Sequence, residues 1–338
     1  MSATAAEPAL RRTGILMCGH GSRDVDAIGE FEHMTRAIRA RLTDYDVDHA
    51  YLEFARPVIR DGLEALKRRG AARILALPGM LFAAGHVKND IPWELNSFAA
   101  DNPGIAVEYG RDLAIDPWLL RAAADRIEAA LGAHDETEAI ERADTLLLVV
   151  GRGTSDPDAN SNIAKVARML WEGLGFGWAE SGFSGVAFPR VTQALERSVK
   201  LGFRRIVVFP YFLFTGVLVK RIYGETDAVA ARHPAIDFVK ADYLNDHPLV
   251  LDSFVARVAE IDRGENAMNC RLCKYRERLI GYEADAGAAQ AGHHHHVRGI
   301  GTDADHHDHE HGHDHGHDHA HHDHAHGHRR PGNGHRHD

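Results

Sequence analysis

Two histidines stand in turns that directly follow apolar runs, in Leu16-Met17-Cys18-Gly19-His20-Gly21-Ser22-Arg23-Asp24 and in Phe82-Ala83-Ala84-Gly85-His86-Val87-Lys88-Asn89-Asp90-Ile91-Pro92. Neutral imidazole is a good ligand for Co²⁺, Ni²⁺, Fe²⁺ and Zn²⁺ and a poor one for Mg²⁺ or Ca²⁺. Two such ligands leave coordination positions open, which suits a metal held briefly and handed on. Glu53 lies at the end of a further strand-like stretch, Val47–Phe54, and its carboxylate has two uses there: completing the ligand set or accepting protons. Imidazole also takes up a proton near neutral pH, so a histidine not bound to metal can act as a base. Read singly, His20 is a loop histidine bonding to backbone and His86 the start of a helix; their matching positions after two strands favour a metal pair.

The elements that must position these residues alternate. Gly14–Cys18, Val47–Phe54, Arg73–Leu77 and Ile105–Tyr109 read as strands. Between and after them, helices are expected over Asp24–Leu42, from Pro57 onward, over Val87–Phe98 with an interruption near Pro92, and over Pro117–Leu131. This alternation implies a parallel sheet with helices on both faces, whose carboxyl edge is where open α/β folds place ligands. Both histidines and Glu53 are expected at that edge.

The second half repeats the first. A shift of 132 residues carries Gly19 to Gly151, Asp24 to Asp156, Pro57 to Pro189, Pro78 to Pro210 and Lys88 to Lys220. Tandem copies over 14–132 and 144–262 follow, packed as a pseudo-dimer around a shared cleft, with an N-terminal extension (1–13) and a linker (133–143). The same shift turns His20 into Arg152, Glu53 into Gly185 and His86 into Leu218. One working half and one scaffold half are therefore expected. Arg23, Arg56, Lys88, Arg152, Arg190, Lys220 and Arg221 fall near strand ends or helix starts and suit a substrate with several carboxylates.

Composition excludes several classes. The chain has 338 residues, 44% of them apolar, and a formal charge of −10, which argues against nucleic acid as a partner. No apolar run is long enough to span a membrane, and Met1–Arg12 lacks a basic-then-apolar leader pattern, so the cytoplasm is the expected compartment. Three cysteines do not make a disulfide framework, and Cys270 and Cys273 are spaced as metal or redox ligands. They lie in a linker, 263–292. Beyond it, 293–338 holds 19 of the 26 histidines among Asp, Gly and Ala, a tail expected to be disordered and to bind divalent metal.

These motifs together resemble the class II tetrapyrrole chelatases, and within them the long-form sirohydrochlorin cobaltochelatases of the anaerobic cobalamin route. The carriers are Cys18–Asp24, Tyr51-Leu52-Glu53-Phe54-Ala55-Arg56-Pro57, Leu77-Pro78 through Gly85-His86 to Pro92, Met268-Asn269-Cys270-Arg271-Leu272-Cys273 and the histidine-rich tail. The resemblance implies two tandem flavodoxin-like domains and insertion of Co²⁺ into sirohydrochlorin, an anionic tetrapyrrole. It assigns metal binding to His20 and His86, with His20 also the proton acceptor, and lines the macrocycle with Arg56, Leu81, Phe82, Ala83, Ala84, Gly85 and His86; Lys88 is added as a substrate contact. It also relates Cys270 and Cys273 to an iron–sulfur element. Two cysteines fall short of the four ligands that a cluster takes. A cluster shared across a homodimer, one completed by tail histidines, and a zinc or redox pair with no cluster all stay open; without sharing, a monomer with pseudo-dimeric halves is expected. The tail is read as a reservoir of Co²⁺ or Ni²⁺. Fe²⁺ or Ni²⁺ insertion, and a non-enzymatic metal-delivery protein, are the alternative readings.

Overall fold

The computed structural model describes residues 13–134 and 140–265. Two four-stranded parallel sheets carry the architecture. In the first half, β1 (Thr13–Gly19), β2 (Asp46–Tyr51), β3 (Arg73–Pro78) and β4 (Ala106–Tyr109) lie in the order β2-β1-β3-β4. In the second, β5 (Thr145–Gly151), β6 (Trp178–Phe183), β7 (Arg205–Pro210) and β8 (Asp237–Lys240) lie in the order β6-β5-β7-β8. The central strands β1 and β5 are buried along their whole length, because helices cover both faces of each sheet.

The helices of the first half are α1 (Val25–Arg41), α2 (Ile59–Arg68), α3 (Ile91–Asp101) and α4 (Pro117–His134). Those of the second are α5 (Pro157–Leu174), α6 (Val191–Val199), α7 (Val217–Ala230) and α8 (Pro248–Asp262). Helix α1 starts where Asp24 accepts the Asp26 N–H, and its buried stripe of Ala27, Phe31, Met34 and Ile38 follows helical spacing. Asp156 caps α5 in the same way, followed by Pro157.

The duplication is thus visible element by element. The 132-residue shift holds through the Lys88 and Lys220 segments and drops to 131 at β4 and β8, the second half being one residue shorter before its last strand.

Two expectations are corrected in detail, and a third is sharpened. Strand β2 ends at Tyr51, not Phe54, and α2 starts at Ile59, not Pro57; Tyr51 N–H instead donates to the Pro57 carbonyl across a loop with Phe54 at φ +60° and a cis Arg56-Pro57 bond. The interruption expected near Pro92 is a change of helix type: a single π-helical turn, His86–Asp90, gives way to α3 at Ile91, with Pro92 in the first turn of the α-helix.

The two halves exchange their last helices. Helix α8 packs on α1 and β3 of the first half, α4 packs on α5 and β8 of the second, and the two lie against each other. Buried Arg257 of α8 donates to the carbonyls of Asp112 (3.2 Å) and Leu113 (2.9 Å) and to the Asp116 carboxylate (2.8 Å), all just after β4. Arg111 forms a two-pronged pair with Glu260 at 2.8 Å. In the reverse direction His134 of α4 meets Asp237 of β8 at 2.7 Å. One apolar core, containing Ile15, Met17, Leu147 and Val149, therefore runs between both sheets, while smaller cores lie under α2–α3 and α6–α7.

Candidate metal centre

The carboxyl edges of the two sheets face each other across a cleft. Past the end of β1 and β2 the backbones stay paired, Leu52 N–H donating to Gly19 O (2.9 Å) and Glu53 N–H to His20 O (3.0 Å). This holds His20 and Glu53 side by side. Gly21 allows it: at φ +92° a Cβ would lie 1.7 Å from the Glu53 carbonyl oxygen, so no larger residue fits. The second half reproduces the arrangement, with Gly185 N–H on Arg152 O (2.8 Å) and Gly153 at φ +83° against the Gly185 carbonyl.

His86 arrives from the turn after β3. Its ring meets that of His20 edge to face, centroids 4.9 Å apart and planes at 81°. One ligand atom from each of His20, Glu53 and His86 lies within 4.8 Å of the others, near enough for small side-chain shifts to bring all three onto a single cation. His20 Nδ1 bonds to the Gly21 carbonyl at 3.0 Å, so that nitrogen carries the proton and Nε2 presents its lone pair to the cleft. His86 Nδ1 donates to Asp90 at 2.6 Å, which leaves Nε2 as the ligand. Asp90 is almost wholly buried. It sits one helical turn from His86 and orients the ring; the His-x-x-x-Asp spacing carries that signal, although no role for Asp90 was expected.

Burial first, then the charges of Arg152 and His86, push the His20 pKa down to about 3, against a smaller opposing effect of the Gly21 hydrogen bond. Its imidazole is thus neutral near pH 7, the form that binds a metal. Arg152, expected in the scaffold half, reaches across the cleft and donates to His20 Nε2 at 3.1 Å, while His20 Nε2 stands 3.3 Å from Glu53 Oε1. The second half therefore supplies a residue to the site and is more than a scaffold.

The other expected substrate contacts divide. Leu81, Phe82, Ala83, Ala84 and Gly85 form the turn before His86; Ala83 N–H donates to buried Asp112 (2.7 Å), and the Phe82 ring stacks on Tyr211 of the second half, centroids 5.7 Å apart. Arg56 lies exposed on the β2–α2 loop, 3.7 Å from Asp61. Lys88 points away from the histidines. Its ammonium is buried in the interface, 2.7 Å from Asp156 and 3.1 Å from Asp158 at the start of α5, so the expected substrate contact gives way to an ion pair joining the halves. Lys220 does the same in reverse with Asp24 (2.8 Å) and Asp26 (2.9 Å). Cys18 lies in β1 with its thiol pKa raised to about 12 by burial and is no metal ligand. Cys270, Cys273 and the histidine-rich tail lie outside the described residues.

Comparison with known proteins agrees with the duplication. The CbiX family model matches twice, over residues 14–130 and 146–261. A sirohydrochlorin cobaltochelatase of Priestia megaterium is 36% identical over 266 residues, 78% of this chain and 84% of the relative. A sirohydrochlorin ferrochelatase of the same organism is 29% identical over 233 residues, 69% of this chain and 84% of the relative. Among solved structures, SirB from Bacillus subtilis with Fe³⁺ superposes with a TM-score of 0.66 at 28% identity, covering 75% of this chain and 98% of that one. Since both halves match the family model and together make up most of its length, the chain belongs to the CbiX family.

Proposed function

We propose that this chain inserts Co²⁺ into sirohydrochlorin. The observation that carries the reading is the convergence of His20, Glu53 and His86 within 4.8 Å at the carboxyl edge of one sheet, facing a second sheet across a cleft. The metal is a substrate here, so the site must hold it in part and release it. Two imidazole nitrogens and a carboxylate leave other positions of the ion open to water or to the macrocycle nitrogens. Insertion forms four metal–nitrogen bonds, breaks those to His20, His86 and Glu53, and releases two pyrrole protons. With His20 kept neutral, its role is that of a ligand, and Glu53 is the group placed to take a proton as the metal leaves. The turn Leu81–Gly85 and Arg56 are read as the wall that the macrocycle contacts.

Cobalt is favoured over iron by the higher identity and coverage of the cobaltochelatase relative. Imidazole ligands do not separate Co²⁺, Ni²⁺ and Fe²⁺ by geometry alone, so the metals are compared directly. The absorbance of sirohydrochlorin is followed anaerobically with each ion; the fastest change is expected with Co²⁺. A faster change with Fe²⁺ or Ni²⁺ reassigns the metal, and no change with any ion makes the chain a metal-delivery protein. We assign His293–His337 the part of a metal reservoir, so deletion after Gly292 lowers turnover only when free cobalt is scarce. The compartment expected for this chemistry is the cytoplasm.

A further inference from the structure

The second half lacks all three ligand residues, yet its Arg152 touches the site. The hydrogen on His20 Nδ1 is committed to the Gly21 carbonyl at 3.0 Å, so Nε2 has one lone pair and no proton. Arg152 Nη2 donates to that lone pair at 3.1 Å. Glu53 Oε1, also an acceptor, lies 3.3 Å from the same nitrogen. Two acceptors this close require a cation beside them, and the guanidinium supplies one. A metal ion bound to His20 Nε2 at about 2.0–2.1 Å uses that same lone pair. Arginine and metal are therefore mutually exclusive on His20, sterically and by charge.

Once off His20, the exposed guanidinium is available to an anion. Its planar fork suits a carboxylate, and the Arg152 side chain is exposed beside His20. We propose that Arg152 holds the metal's place on His20 and is drawn off by a carboxylate of the incoming macrocycle, so that substrate capture opens the ligand set to the metal. This rests on the chelatase reading above. The coupling is reciprocal, as linkage demands: the macrocycle tightens metal binding and metal tightens macrocycle binding. Arg152 is a positioning residue in this scheme, because it acts through His20.

The test uses the full chain with free Co²⁺ fixed by a chelator buffer, so that metal taken up elsewhere on the chain does not change the free concentration. The visible Co²⁺ band is titrated for wild type, Arg152→Ala and Arg152→Lys, with His20→Ala as the blank. Sirohydrochlorin binding without metal is followed separately by its absorbance or fluorescence. Arg152→Ala is expected to lower the half-saturating Co²⁺ about tenfold and to weaken sirohydrochlorin binding about tenfold, each the equivalent of about one lost charge-assisted hydrogen bond. Arg152→Lys is expected to fall between, since a lysine keeps the charge without the fork. In turnover, the wild-type half-saturating Co²⁺ falls as sirohydrochlorin rises, and in Arg152→Ala it does not. Unchanged or weaker Co²⁺ binding in Arg152→Ala overturns the place-holding role, and unchanged sirohydrochlorin affinity overturns the coupling. A Co²⁺ titration of wild type that His20→Ala reproduces in full overturns the chelatase site itself, a separate failure.

Discussion

The two halves share a backbone and differ in what stands at the mouth of each sheet. In the first, the residues after β1, β2 and β3 are His20, Glu53 and His86; in the second they are Arg152, Gly185 and Leu218. The divergence reaches the residue behind: Asp90, which orients His86, corresponds to Ile222, fully buried against the second sheet. The polar pair of one half stands where the other has an apolar pair; the two positions differ together, as expected where a buried carboxylate without its imidazole partner would be costly. The glycine turns at Gly21 and Gly153 were kept. Backbone geometry is thus common to both mouths, and the chemistry is set by side chains grafted onto it.

The sharpest way to break this comparison is to cut the same position on both sides. His86→Ala removes a metal ligand and is expected to lower turnover by more than about a hundredfold, a larger effect than the loss of an outer-shell partner. Leu218→Ala is expected to leave turnover close to wild type and to lower stability by about 1–2 kcal/mol through lost apolar contact. Parallel assays of insertion and thermal unfolding decide; equal losses of turnover would erase the distinction between the halves.

A smaller effect separates the two lysine ties. Lys88 is buried between two aspartates, whereas Lys220 is half-exposed. Lys88→Met leaves Asp156 and Asp158 without their cation and is expected to cost about 2–3 kcal/mol. Lys220→Met is expected to have little effect in physiological salt, where the exposed pair is screened. Denaturant midpoints for both variants are the measurement, and a larger loss from Lys220→Met would reverse the assignment.

The smallest effect concerns Asp112. Burial raises its pKa to about 6, one oxygen accepts from Ala83, and the other has no hydrogen-bond partner among the described residues. A folded-state pKa above the unfolded value means that its contribution is fully present below about pH 4 and is lost as pH rises through 6. Asp112→Asn, which keeps the acceptor for Ala83 without the charge, is expected to gain about 1–2 kcal/mol relative to wild type between pH 4 and pH 8. Thermal unfolding across that range checks it, and a constant difference would remove the group from the pH response.

Much of this was readable in the chain. Strands and helices alternate with clear periodicity, and the repeat matches strand to strand, so the sequence alone points to His20, Glu53 and His86 at one edge. What stayed hidden depended on contacts between halves. Lys88 looks like a substrate ligand because nothing local shows Asp156 and Asp158 waiting for it. Arg152 was legible only as a cation near a strand end, since its partner is 132 residues away. The loop through Phe54 and Pro57 reads as strand and helix in the sequence because the apolar pattern continues through it while the backbone turns.

The exchange of α4 and α8 bears on how such a chain can be divided. Severed between its repeats, neither fragment would own the helix that roofs its sheet: the first would leave the α8 side of β3 bare, and the second the α4 side of β8. Each would expose an apolar floor and bind the missing piece from its neighbour. The protein is therefore separable as a pair of complementing fragments and not as two free-standing domains, and any ancestral single-repeat form that kept this geometry had to be an interlocked dimer.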